Sequence, residues 1–258
     1  MNRLAVVTGA TGGIGIQLCR LLARNGYDLL ITGRSEDRLR MLANELKALQ
    51  SIEVNFLAGD LSDPEFRGRL FEMAPGTPSV LINNAGFGDY GPFAGSDWEK
   101  QDEMIKVNVL ALTQFTHMFL PGMVSKGYGR ILNVASVASF QPGPLMSVYY
   151  ATKSYVLSFS EALSVELAKT GVTVTALCPG PVNTGFAKAA NAESINVFKQ
   201  SSGAYPEQVA GYGYRMMMKG KPVAVFGKKF KVLIFFERFL PRSAVRRMLY
   251  RIQGSRSK

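Results

Sequence analysis

The chain has 258 residues, enough for one α/β domain whose core needs no disulfide or metal to hold it. Its hydrophobic fraction of 47% and charged fraction of 19% exclude a disordered or fibrous chain. The net charge of +11 sits in one place: residues 219–258 hold twelve basic residues against Glu237 alone, and the rest of the chain is balanced.

Cys19 and Cys178 are too few for a disulfide framework, and both fall in apolar-periodic stretches, which suggests buried thiols in a reducing compartment. No zinc-like cluster is present. His117, the single histidine, lies in a helical stretch with no visible partner, which suggests a surface or interface residue. The first apolar run stops at Thr8-Gly9, too soon for a signal peptide, and no stretch approaches the roughly 18 apolar residues of a spanning helix. A cytoplasmic protein is expected.

An apolar run at 4–7, ending in glycines, predicts a buried parallel strand. Helical periodicity over 14–24, closed by Asn25-Gly26, predicts the first helix. A second strand follows at 29–32, then a helix from a Ser35 cap to about residue 50, with Glu36 and Asp37 in its first turn. Residues 54–57 read as a third strand, and Asp63-Pro64-Glu65 opens a helix with proline at its first position. A fourth strand at 80–82 leads into Asn83-Asn84-Ala85-Gly86. Beyond it come a long helix over about 97–124, a fifth strand at 130–134, a helix through Tyr149 to about 169, and a sixth strand at 172–177. This alternation predicts an α/β fold, a doubly wound parallel sheet of the Rossmann type with helices on both faces. Residues 1–227 read as one dinucleotide-binding and catalytic domain, and 228–258 as a basic amphipathic tail. Ligands in such sheets bind beyond the carboxyl ends of the strands, where strand order reverses.

The motifs fall at those strand ends. In Thr8-Gly9-Ala10-Thr11-Gly12-Gly13-Ile14-Gly15 the glycines permit a tight turn and close approach to a pyrophosphate resting on a helix N-terminus. The turn supplies Gly9, Thr11, Gly13, Ile14 and Gly15 as cofactor contacts. The second strand ends in Thr32-Gly33-Arg34-Ser35, with no carboxylate for a ribose 2′-hydroxyl. The Arg34 guanidinium suits a 2′-phosphate instead, so NADP(H) is the expected cofactor; otherwise Arg34 lies over the adenine. Asp60, followed by Leu61, is placed either to accept from the adenine amino group or to cap a helix. Tyr149 and Lys153 stand four residues apart on one helix face, where an ammonium lowers the pKa of a phenol and fits it for acid/base work. Tyr150 points elsewhere.

Four motifs in this order, the Thr8–Gly15 turn, Asn83-Asn84-Ala85-Gly86, the Tyr149/Lys153 pair and Pro179-Gly180-Pro181-Val182-Asn183-Thr184, make residues 3–225 resemble a short-chain dehydrogenase/reductase. The resemblance implies hydride transfer between a nicotinamide and a carbonyl or alcohol carbon. It implies that Tyr149 is the general acid in reduction, and that Lys153 lowers its pKa and holds the nicotinamide ribose. Ser136 is implied to bond the substrate carbonyl, with Ser139 as the nearby rival, and Asn108 to hold a water of the proton relay. Asn83, Ala85, Gly86, Pro179, Gly180, Val182 and Thr184 are implied cofactor contacts. A homodimer or homotetramer built on helices 97–124 and 149–169 is implied as well.

Three stretches rich in Phe, Pro and Met, 87–93, 140–146 and 186–198, are candidate substrate loops and suggest an apolar substrate. In the tail, Phe230, Leu233, Ile234, Phe235 and Phe236 cluster ahead of Pro241. Val245, Met248, Leu249 and Ile252 then oppose Arg242, Arg246, Arg247 and Arg251 at helical spacing. Such a tail either meets an anionic membrane peripherally or packs over the cleft or a second subunit. No nucleic-acid module is present. The alternative to an enzyme is a non-enzymatic NADP-binding sensor or membrane-associated scaffold on the same fold.

Overall fold

A computed structural model describes residues 3–192 and 203–254. Seven parallel strands form one sheet in the order β3-β2-β1-β4-β5-β6-β7. They are β1 (Leu4–Val7), β2 (Asp28–Gly33), β3 (Val54–Ala58), β4 (Val80–Asn83), β5 (Gly129–Val134), β6 (Val172–Cys178) and β7 (Val223–Val225). The helices are α1 (Gly13–Arg24), α2 (Glu36–Leu49), α3 (Pro64–Glu72), α4 (Trp98–Ile105), α5 (Leu112–Ser125) and α6 (Ser147–Glu166). They continue as α7 (Phe186–Ala189), α8 (Pro206–Met218), α9 (Lys228–Glu237) and α10 (Arg242–Gly254).

The sheet is buried on both faces, and successive residues of a strand serve opposite sides. Ala5 and Val7 face Leu18 and Leu22 of α1, Leu39 and Leu46 of α2, and Val209 and Met217 of α8. Leu4 and Val6 face Phe66 and Leu70 of α3 and Phe115, Phe119 and Met123 of α5. Phe66 and Phe115 are almost wholly buried, which stabilises the fold by about 1.5–3 kcal/mol for each ring. The expected caps are present: the Ser35 side chain accepts from the Arg38 amide, Asp63 from that of Glu65, and Gly26 takes a positive φ after α1.

The differences are local. The long helix over 97–124 is continuous from Trp98 to Ser125, but Lys106–Ala111 widens into a π turn between α4 and α5. Against expectation, this 28-residue helix is long and apolar enough to span a membrane by length and composition. Much of its apolar surface serves the core instead, through Phe115, Phe119 and Met123. The Tyr149 helix stops at Glu166, three residues before Lys169, where Leu167 takes over as its C-cap. The seventh strand carries no clear signal, being three residues between Pro222 and Phe226.

Candidate active site

Strand order reverses at β1, between β2 and β4, and the glycine turn opens there. Gly9 has φ +62°, and a Cβ on it would lie 2.8 Å from the Ala85 Cα; one on Gly15 would lie 2.3 Å from the Gly9 carbonyl. A Cβ on Gly13 would meet the Thr184 methyl at 2.6 Å, so this turn and the loop after β6 close on each other. Ile14 packs into the core below. No side chain caps α1 and no acidic residue stands in its first turn, which leaves its amide end to an anion. This cradle fits a dinucleotide pyrophosphate.

Asn84 and Thr8 build the cradle and were not singled out by the sequence. The Asn84 amide donates to the carbonyls of Thr8 at 3.1 Å and Gly9 at 2.8 Å. The Thr8 hydroxyl accepts from the backbone amides of Asn84 and Ala85, each at 3.1 Å. The Asn83 side chain instead turns into the protein and donates to Asn133 and Thr116. Its contribution is to brace β4 against β5 and α5.

Arg34, at the end of β2, is 76% exposed at its side chain, and its nearest carboxylate is Glu103 at 3.9 Å. It lines a cleft of about 350 Å³ with Phe87, Lys100, Glu103 and Ala189. Arg38 is occupied, donating to the Thr11 carbonyl at 2.6 Å. Asp60 accepts from the Ser62 amide at 2.8 Å and is not the cap of α3, which is Asp63. Leu61 is buried beside it.

The catalytic candidates converge. Tyr149 and Lys153, on α6, are both buried, and the Lys153 ammonium lies 5.9 Å from the centroid of the Tyr149 ring. The Ser136 hydroxyl, just beyond β5, accepts from the Ala138 amide at 3.1 Å and lies near enough to the Tyr149 phenol to draw its pKa down. Its rival Ser139 is committed elsewhere: its hydroxyl donates to the Lys153 carbonyl at 2.7 Å and accepts from the Ser136 amide at 3.3 Å. Asn108 projects from the π turn, a feature frequent at functional sites. It accepts from the Phe87 amide at 3.1 Å and donates to the Phe87 carbonyl at 2.9 Å and to Thr152 at 3.1 Å. Gly86 is hemmed by both polar groups; a Cβ there would lie 2.9 Å from Asn108 Oδ1 and 3.2 Å from Lys153 Nζ.

Electrostatically, burial dominates. It lowers Lys153 from 10.5 to about 8, opposed only in part by Cys178, so the side chain is mostly cationic at pH 7 and donates to the Val134 carbonyl at 2.8 Å. Burial pushes the Tyr149 phenol well above its ordinary value, opposed in part by Ser136. The expected downward shift from Lys153 is not seen; the desolvation of the phenol decides its pKa. Burial likewise raises Tyr150 to about 12, opposed by Gln253.

The substrate side is apolar. Tyr149 packs with Met104, Ala138, Met146 and Ala190, against which Phe87, Tyr90, Tyr150 and Phe186 close. The Tyr149 and Phe186 rings lie 5.3 Å apart. Leu145 holds φ +65°, its carbonyl accepting from the Gly91 amide at 2.8 Å, which ties two of the candidate loops together. Of the third, 186–198, residues 193–198 lie outside the described part. After β6, Pro179 accepts from the Val137 amide at 3.0 Å, Phe230 lies so close to Gly180 that a Cβ would meet its ring at 2.2 Å, and Val182 bridges to Ala204.

The tail returns to this cleft. Its last helix buries Val245, Leu249 and Gln253, while Met248 and Ile252 stay about 40% exposed, so the buried stripe is rotated from the expected one. The Gln253 amide donates to the Tyr150 hydroxyl, and the Tyr90 hydroxyl donates to the Gln253 carbonyl at 2.8 Å. Of the placements open to the tail, this helix takes the one over the cleft.

A glycine cradle where strand order reverses, with buried Ser136, Tyr149 and Lys153 brought together beyond the same strand ends, defines a class, and known proteins of that class are similar to this chain. The sequence profile of the short chain dehydrogenases matches residues 3–195. D-beta-hydroxybutyrate dehydrogenase of Rhizobium meliloti is 30% identical over 230 residues, 88% of this chain and 86% of that protein. Human very-long-chain 3-oxoacyl-CoA reductase is 34% identical over 193 residues, 73% of this chain and 62% of that protein. A short-chain dehydrogenase from Sphingobium yanoikuyae, solved in complex with NADPH, superposes with a TM-score of 0.81 at 29% identity, covering 92% of this chain and 94% of that one. The chain belongs to the short-chain dehydrogenase/reductase family of oxidoreductases, which bind nicotinamide cofactors and act on small carbonyl or alcohol substrates.

Proposed function

We propose that the protein is an NADP-dependent oxidoreductase acting on the carbonyl or alcohol carbon of a mainly apolar substrate, with Tyr149 as general acid/base. The observation that carries this reading is the convergence of three buried polar side chains, Ser136, Tyr149 and Lys153, walled by apolar rings. A pure binder needs no such cluster, and this is the argument against a sensor or scaffold. The bound nicotinamide supplies or accepts the hydride. The Ser136 hydroxyl donates to the substrate oxygen as negative charge grows there. Tyr149 Oη then delivers its proton to that oxygen. The Tyr149 phenol, held above its ordinary range by burial, carries its proton at neutral pH and so has one to give. Lys153 holds the ribose by its ammonium, and a water between Asn108 Oδ1 and Lys153 Nζ, the two groups bordering Gly86, restores the proton.

NADP is favoured by Arg34, exposed at the end of β2 where a guanidinium fork can take a 2′-phosphate. Asp60 and Leu61 are assigned to the adenine. An apolar substrate is favoured by the rings around Tyr149. The two curated relatives are named for hydroxybutyrate and 3-oxoacyl-CoA, so a 3-oxo acyl chain belongs in any trial. The test is NADPH oxidation with aliphatic, aromatic, steroid-like and 3-oxoacyl carbonyls. Turnover of at least one apolar class supports the proposal. Tight NADPH binding without turnover of any would favour the sensor.

A further inference from the structure

The two tail helices are used differently. Whereas α10 buries a stripe on the cleft, α9 buries no residue at all. Its Val232, Leu233, Phe235 and Phe236 are 47–60% exposed, and Phe239 and Leu240 just beyond it are 72% and 48% exposed. Val232, Leu233, Phe235 and Phe236 recur at i, i+1, i+3 and i+4, the repeat of one helix side, and Phe239 and Leu240 follow in the turn after it. Phe235 sits between the rings of Phe236 and Phe239, with centroids 5.5 and 5.6 Å away, both edge-on. The patch is therefore contiguous and aromatic, and an exposed patch of that kind marks a docking surface.

Its rim identifies the occupant. Lys228, Lys229 and Lys231 border the patch at one end, and Arg238 and Arg242 at the other, all exposed. Among the described residues, no lysine or arginine of 228–251 has a carboxylate within 4.0 Å. We propose that this face docks on a membrane surface bearing anionic lipid, with the Phe and Leu side chains among the acyl chains and the cations at the headgroups. An apolar face between lysines and arginines matches such an interface, the long cationic side chains reaching back to the headgroups. Self-pairing through the same face fits poorly, because it sets these cations against their own copies.

The position of the face supports the assignment. Phe230, in the first turn of α9, rests on Gly180 beside the candidate active site, and α10 returns to Tyr150. A bilayer under α9 would thus adjoin the substrate end of the molecule. The docking itself does not depend on the proposed reaction.

The test is flotation of the full chain with vesicles of phosphatidylcholine alone and with about 30% phosphatidylglycerol. Wild type is compared with a Phe235→Asp/Phe236→Asp/Phe239→Asp variant and a Lys228→Gln/Lys229→Gln/Lys231→Gln variant. Far-ultraviolet circular dichroism and NADPH binding check that each is folded. Wild type should float with the anionic vesicles and bind neutral ones about tenfold more weakly; the aspartate variant should lose about tenfold or more on both, and the glutamine variant only the anionic preference. Wild type left in solution, or an aspartate variant that floats like wild type, overturns the proposal. So does gel filtration in which the aspartate substitutions split a wild-type oligomer, which would make this face a contact between copies.

Discussion

Arg34 and Lys153 carry opposite kinds of charge chemistry, one in solvent and one out of it. The nearest carboxylate to Arg34 is Glu103 at 3.9 Å and the side chain is 76% exposed, so its guanidinium is open to a phosphate. Replacing it by a carboxylate sets like charge against a 2′-phosphate. Arg34→Asp should move the NADPH/NADH ratio of kcat/KM toward NADH by about tenfold or more, and an unchanged ratio would contradict the cofactor assignment. Lys153 is a charge the fold buries at a cost. With its pKa lowered from 10.5 to about 8, the unfolded chain holds more protons than the native one between those values. Native stability therefore rises with pH across that window, and the penalty is fully present below it. Lys153→Met should unfold in urea with about 1–3 kcal/mol more stability than wild type at pH 7, the gain shrinking toward pH 10.5 while activity is lost. Parallel stability–pH curves would contradict it. The loss of the bond to the Val134 carbonyl works against the gain and is why the expected figure is modest.

At the scale of the element, the β1–α1 turn shows why glycine is required and not merely allowed. A side chain on Gly13 runs into Thr184, so two segments far apart in sequence can no longer close on each other. Gly13→Val should weaken NADPH binding about tenfold or more in a fluorescence titration, with little change in the unfolding temperature, since Gly13 sits at the open start of α1. Equal binding would show that the cradle is elsewhere. Much of this was legible in the sequence: caps, strands and glycine turn are local signals, read within a few residues. What was not legible depended on distant partners. The π turn that presents Asn108 leaves no periodic trace, because one extra residue in an apolar helix barely shifts the pattern. Gln253 follows the apolar stripe of the last helix with no local signal of its own, and its partners Tyr150 and Tyr90 lie 103 and 163 residues away. Asn83 carries a familiar motif, but its side chain answers to Asn133 across the sheet.

Across the whole molecule, the chemistry gathers beyond the carboxyl ends of the central strands, the last helix folds back over it, and the long helices leave apolar surface outside. Leu110 and Val165 are 49% and 76% exposed, on the helical segments expected to pair copies of the chain. If they do, Leu110→Lys with Val165→Lys should lower the mass seen in light scattering, and an unchanged mass would move the interface elsewhere. Tyr149 is the proposed proton donor of the site. Tyr150 is its natural control, an adjacent phenol, also mostly buried, whose hydroxyl is held by Gln253. The most direct measurement is single-turnover NADPH oxidation by Tyr149→Phe and Tyr150→Phe, beside their NADPH affinities. Tyr149→Phe should bind NADPH as wild type does and lose turnover by about a thousandfold or more, while Tyr150→Phe stays active. Equal loss in both variants, or turnover retained by Tyr149→Phe, would show that Tyr149 is not the proton donor.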